Sequence, residues 1–155
     1  MTWLWLLVGA AVVIGVIVVV RVLRYMGANE SVVTGGWLAQ AIDASRKGSA
    51  LHEIMNAAVR PGALATAGGG ARWADIQRRA DDLARELTAL RVAAAGPEDR
   101  STADDALGSL QAARSAMEAY KDAGGGAGQA DAVRSRLSAF EESLHRLRSP
   151  QRHLW

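Results

Sequence analysis

The chain has 155 residues, of which 50% are hydrophobic and 22% charged, with no cysteine and one phenylalanine. That apolar content argues against disorder, and the lack of cysteine rules out a disulfide framework. With 18 Lys+Arg against 16 Asp+Glu, the formal charge of +2 gives no bulk basic field of the kind that marks a nucleic-acid binder.

The first element is an apolar run, Trp3 to Leu23, broken only by Arg21. As a helix it rises about 31 Å, the thickness of a hydrocarbon core. Its many Val and Ile residues are poor helix formers in water, but lipid forces the backbone to satisfy its own hydrogen bonds. Trp3 and Trp5 at one end and Tyr25 at the other suit the two interfaces, and Arg21 and Arg24 can reach the headgroups. A cleaved signal peptide would need a basic segment before a shorter run and a small-residue cleavage site, and this sequence has neither. Residues 1–26 therefore read as a retained transmembrane anchor. Both arginines follow the run, so the positive-inside rule predicts a single-pass plasma-membrane protein with its N-terminus outside and the remainder cytoplasmic. Ala11 and Gly15 form a small-xxx-small pair that admits another helix, although Gly and Ala are also ordinary constituents of spans.

Residues 27–71 read as a connector. Gly27 to Gly36 is turn-rich. Trp37 to Arg60 then carries Trp37, Leu38, Ala41, Ile42, Leu51, Ile54, Met55 and Ala58, the pattern of short amphipathic helices broken near Lys47-Gly48-Ser49. Arg46 and Lys47 with Trp37 suit an anionic leaflet, and docking on a partner or on the rest of the chain accounts for the same pattern. Arg60-Pro61-Gly62 predicts a stop, and the glycines of Ala65 to Ala71 predict a flexible linker.

Three heptad-spaced stripes follow: Trp73, Ile76, Ala80, Leu83, Leu87, Leu90, Ala94; then Ala103, Leu107, Leu110, Ala113, Met117, Tyr120; then Ala130, Val133, Leu137, Phe140, Leu144, Leu147. Each predicts an amphipathic helix. Gly96-Pro97 divides the first two, with Ser101 or Thr102 as the expected N-cap, and Gly124 to Gly128 divides the last two. Short loops make neighbours antiparallel, so residues 72–149 predict an antiparallel three-helix bundle, with 150–155 as a tail. The expected fold class is all-α: one transmembrane helix, short amphipathic helices and this bundle. Its core is rich in Ala and small, and a partner surface would add to its stability. Asp75–Arg79, Arg78–Asp82, Asp81–Arg85 and Glu142–Arg146 have the spacing of solvated surface pairs.

The inventory of reactive groups is thin. The histidines are His52, His145 and His153. Glu142-Ser143-Leu144-His145 spells the E-x-x-H half-site of di-iron bundles, but only one copy exists, and the third stripe turns Glu142 and His145 outward. Gly124-x-Gly126-x-Gly128 follows no strand and lacks the nucleotide-binding spacing. No catalytic, metal or cofactor-binding residue is predicted, so the chain reads as no enzyme, with no cofactor, no small-molecule substrate and no nucleic-acid partner. The expected partners are membrane lipids and other integral membrane subunits, with Trp37 and Trp155 as candidate partner contacts.

A single span, one Lys-poor helical domain and an Ala/Arg/Gly/Val-rich composition make the layout resemble the small single-span accessory subunits of actinobacterial respiratory-chain complexes. The resemblance implies a role in association or stability of a complex without a redox centre. It rests on no motif, so it carries over no functional residue. The alternative is a membrane-tethered adaptor or regulator that recruits a cytosolic protein through its bundle.

Overall fold

The computed structural model describes residues 33–149. They form four α-helices: α1 (Val33–Ala58), α2 (Gly69–Ala93), α3 (Pro97–Asp122) and α4 (Ala127–Arg148). No strand occurs among the described residues, in keeping with the all-α expectation. The expected anchor of residues 1–26 and the expected tail of 150–155 lie outside them. No helix among the described residues is long and apolar enough to cross a membrane.

Partner numbering shows that neighbouring helices run antiparallel. Gln77 meets Glu118, Asp81 meets Arg114 and Arg91 meets Asp104 between α2 and α3, while Asp105 meets Arg146 and Ser109 meets Ser143 between α3 and α4. The three stripes are the interior. Ile76, Leu87, Leu110, Met117, Phe140 and Leu147 are fully buried. Trp73 and Leu107 sit at the margin, half-buried against the same cluster.

Residues 37–58 depart from the sequence expectation. They belong to one unbroken helix of 26 residues rather than two short pieces, and it is the fourth member of the bundle. Trp37, Ala41, Ala44, Leu51, Met55 and Ala58 are buried in the shared core. The break expected at Lys47-Gly48-Ser49 does not occur, because Gly48 serves contact rather than bending. A Cβ placed there would lie 2.6 Å from Leu144 Cδ2. Beside it, Ser45 Oγ–H donates to the Leu144 carbonyl at 3.2 Å. Glycine normally weakens a helix interior, but here bare backbone lets α1 seat on α4. The position of residues 37–58 is thereby settled in favour of the bundle and against the anionic leaflet.

The expected flexible linker is also ordered. Ala63 N–H donates to Arg60 O, Ala65 N–H to Gly62 O and Gly69 N–H to Thr66 O, a succession of turns. Gly62 takes the left-handed φ of 77°, as the Arg60-Pro61-Gly62 stop requires. Gly69 and Gly70 open α2 instead of preceding it, since Leu64 O would lie 2.0 Å from a Cβ at Gly69. The start of α3 moves as well. Pro97 opens it behind Gly96, Glu98 and Asp99 occupy the first turn, and Thr102 Oγ1–H donates back to Glu98 O inside the helix. Proline at the first position and acids at the positive end of the dipole replace the expected Ser101 or Thr102 cap. At the other end of α3, Gly125 N–H bonds Tyr120 O and Gly124 N–H bonds Lys121 O, a Schellman closure.

These glycines make a paired test. Gly48→Leu should cost about 1–3 kcal/mol through overpacking against Leu144. Gly108→Ala, mid-helix in α3 with nothing near its Cβ direction, should stabilise by up to about 1 kcal/mol. Circular-dichroism melts of the full chain in mild detergent check both, and equal tolerance would place α1 off the bundle.

Candidate interaction surface

The interior polar groups all work for the fold. Trp37 Nε1–H donates to Leu90 O at 3.0 Å, binding the start of α1 to the end of α2. Tyr120 O–H donates to Val59 O at 2.9 Å, binding the end of α1 to the end of α3. Ser109 and Ser143 share a 2.6 Å hydrogen bond between α3 and α4, and Ser143 also meets Phe140 O. No buried side-chain polar atom among the described residues lacks a partner.

Trp37 was a candidate partner contact on sequence grounds, and the fold corrects this. It is 7% exposed, and its ring and its N–H are both used within the chain. An indole needs a partner for its N–H when buried, and the free carbonyl at the end of α2 supplies one. Trp155, Trp3, Trp5, Ala11, Gly15, Arg21, Arg24 and Tyr25 lie outside the described residues. Glu142 and His145 face solvent, as the third stripe requires. No group of three or more His, Asp or Glu side chains among the described residues is placed to hold a metal ion.

The outer surface is laced by ion pairs, several of them between helices. Lys47 joins α1 to α2 through Glu86 at 2.7 Å, and its own-helix Asp43 lies 2.9 Å away. Arg114 joins α3 to Asp81 of α2 at 2.8 Å, and Arg146 joins α4 to Asp105 of α3 at 3.3 Å. His52 of α1 lies 3.9 Å from Glu141 of α4. Of the pairs expected along single helices, Asp75–Arg79 forms at 2.7 Å and Glu142–Arg146 is loose at 3.9 Å. Arg78 and Arg85 instead take Asp75 and Asp82, three residues away, which frees Asp81 for Arg114. Such exposed pairs orient helices more than they stabilise them.

Charge partners move three titrations. The hydrogen bond from Lys47 holds the Asp43 carboxyl below its ordinary value, and the hydrogen bond from Arg79 does the same for Asp75. Hydrogen bonds to Glu86 first, and then to Asp43, raise the Lys47 ammonium.

The large apolar side chains left exposed among the described residues are Ile42, at 36%, and Val92, at 74%. Val92 was missed in the sequence, although the signal was there. It falls two positions after Leu90, off the stripe of α2, in an uncharged stretch that runs Val92-Ala93-Ala94-Ala95-Gly96-Pro97. Leu38, Ile54, Leu64, Trp73 and Leu107 are only partly buried at the edge of the core.

A depressed carboxylate contributes stability above the ordinary carboxylate range and loses it as the pH falls through its lowered folded-state value. The melting temperature should therefore drop on acidification through that range, and less steeply in Asp75→Asn. Thermal melts across a pH series check this, and parallel curves would show that the Asp75–Arg79 pair does not couple to folding.

Against known proteins, no family model matches this chain, and neither does any curated protein or solved structure.

Proposed function

We propose that the chain is a non-catalytic, single-span accessory subunit that helps to hold a larger membrane complex together. The observation that carries this reading is the division of its apolar surface. The helical bundle spends nearly all of its large apolar side chains inside itself, leaving Ile42 and Val92 exposed among the described residues. The run from Trp3 to Leu23 is apolar over a length that matches a bilayer. Association then belongs to the span, where packing of small residues drives contact, and the bundle supplies a rigid polar body beside it. The resemblance in layout to respiratory-chain accessory subunits names the kind of assembly to look for first. The plasma membrane, with the bundle on the cytoplasmic side, is the location that Arg21 and Arg24 favour.

Native electrophoresis of mild-detergent membranes tests the reading. The wild-type protein should migrate with other integral subunits. Gly15→Leu should release it while leaving membrane insertion intact. Migration only as a monomer or self-oligomer would sink the accessory-subunit reading and favour the adaptor, which would use the charged outer faces.

Topology has its own test, which the absence of native cysteine makes clean. Single cysteines at the exposed positions Ser115 and Ser138 should resist membrane-impermeant thiol reagents in intact cells and react after lysis. Labelling of both without lysis would reverse the orientation.

A further inference from the structure

Antiparallel packing brings four features to one end of the bundle: the start of α1, the end of α2, the start of α3 and the end of α4. The Trp37–Leu90 hydrogen bond and the Arg91–Asp104 pair mark this end. The chain enters the bundle here, at Val33. The last turn of α2 is also here, and just before the α2–α3 loop it carries Val92, the most exposed large apolar side chain among the described residues. Ala93, Ala95 and Pro97 around it are exposed too, and no residue from Val92 to Pro97 bears a charge. Ala94, between them, is buried, but among the described residues nothing covers Val92.

The chain leading to Val33 limits what can cover it. Between Leu23, the last apolar residue of the run, and Val33 lie residues 24–32. Even fully extended, that stretch reaches only about 35 Å, and any slack shortens it. The 25 residues of α2 make it about 38 Å long, so the opposite end, with the 59–68 turns and the Gly124-Gly125 closure, lies a full helix length further away. If Trp3–Leu23 spans a bilayer, the Val92 tip is the end of the bundle that can meet the lipid surface at every extension of residues 24–32, whereas an upright bundle standing on its opposite end would outrun them.

We infer that the Val92–Pro97 tip of the bundle rests in the membrane interface as an apolar foot. The inference rests on the single-span reading above. One valine with two alanines is too little apolar surface to draw a soluble protein to a bilayer. The tether changes this, because it makes the contact intramolecular, at an effective concentration on the order of millimolar. Electrostatics contribute little. Arg91 is paired with Asp104 and Arg146 with Asp105, the exposed Arg100 is offset by Glu98 and Asp99 on the same turn, and Arg148 is the one further exposed cation that the last turn of α4 brings to this end among the described residues. The foot therefore recognises the apolar boundary of the bilayer rather than anionic headgroups, and neutral lipid is enough for it. Its effect is to stand the bundle upright, with the far loops and the outer helix faces clear of the membrane.

The test uses the full chain in phosphatidylcholine vesicles, with alkaline extraction and flotation to verify insertion. An environment-sensitive fluorophore on Val92→Cys should show blue-shifted emission and quenching by spin-labelled lipid. The same label on Ala65→Cys, at the opposite end, or on Ser115→Cys, on the flank of α3, should show neither. Adding Val92→Asp should abolish the quenching read from Ala93→Cys without changing the thermal melt, since the position is exposed. If the protein floats with the vesicles while Val92→Cys is as wet as the other sites, the foot is refuted and the span stands. Equal quenching at all three sites would mean that the bundle lies flat, and a need for anionic lipid would mean a charge contact; either overturns the proposal. A chain that does not float overturns the span reading and the foot together.

Discussion

Where α1 meets α4, Gly48 presents bare backbone to the side chain of Leu144, and Ser45 hydrogen-bonds the carbonyl of that same residue. Closure of the core depends on this contact. The interior is small and rich in alanine, with one phenylalanine, and Leu144 of α4 lies directly against α1. A fourth helix supplies cover only if it comes close. Ala41, Ala44, Ser45 and Gly48 make up the part of α1 that allows this, while Trp37 and the Leu51, Met55 and Val59 group fill the two ends. Dispersion and burial then act over a continuous interior rather than over separate patches.

The polar groups refine that arrangement without creating it. Trp37 and Tyr120 each satisfy a backbone carbonyl near a helix end, so the two ends of α1 are pinned to α2 and α3 at opposite ends of the bundle. Around the outside, Lys47–Glu86, Asp81–Arg114 and Asp105–Arg146 link successive helices. In water each pair contributes little energy, and rotating a helix by a step would break its pair. A body built in this way has its helices linked around a closed interior.

The closed core also redistributes the functional question. An Ala-rich domain of three helices would have needed a partner to finish its interior, and Trp37 would have been a natural contact for one. With α1 in place that need disappears, and the apolar surface still to be accounted for lies in the Trp3–Leu23 run and at the Val92 tip. The proposed role is accordingly placed at the membrane rather than on the bundle's flanks.

The three stripes of α2, α3 and α4 were legible in the sequence almost residue by residue, because heptad spacing reports directly which face of a helix leaves water. The Arg60-Pro61-Gly62 stop and the outward placement of Glu142 and His145 followed from the same local rules. Residues 37–58 were not legible in this way. Gly48 beside Lys47 and Ser49 has the local signature of a break, and only the approach of Leu144, 96 positions along the chain, turns that glycine into a contact. Gly69 likewise reads as linker until the Leu64 carbonyl is seen against it, and Trp37 reads as a surface anchor until the end of α2 offers Leu90 O. Sequence by itself determined the periodicity, the bilayer-length run and the poverty of reactive groups, since each is a property of neighbouring residues. Only the tertiary structure decided where glycines touch and which tryptophan is buried, because those outcomes depend on atoms that the chain brings together from far apart.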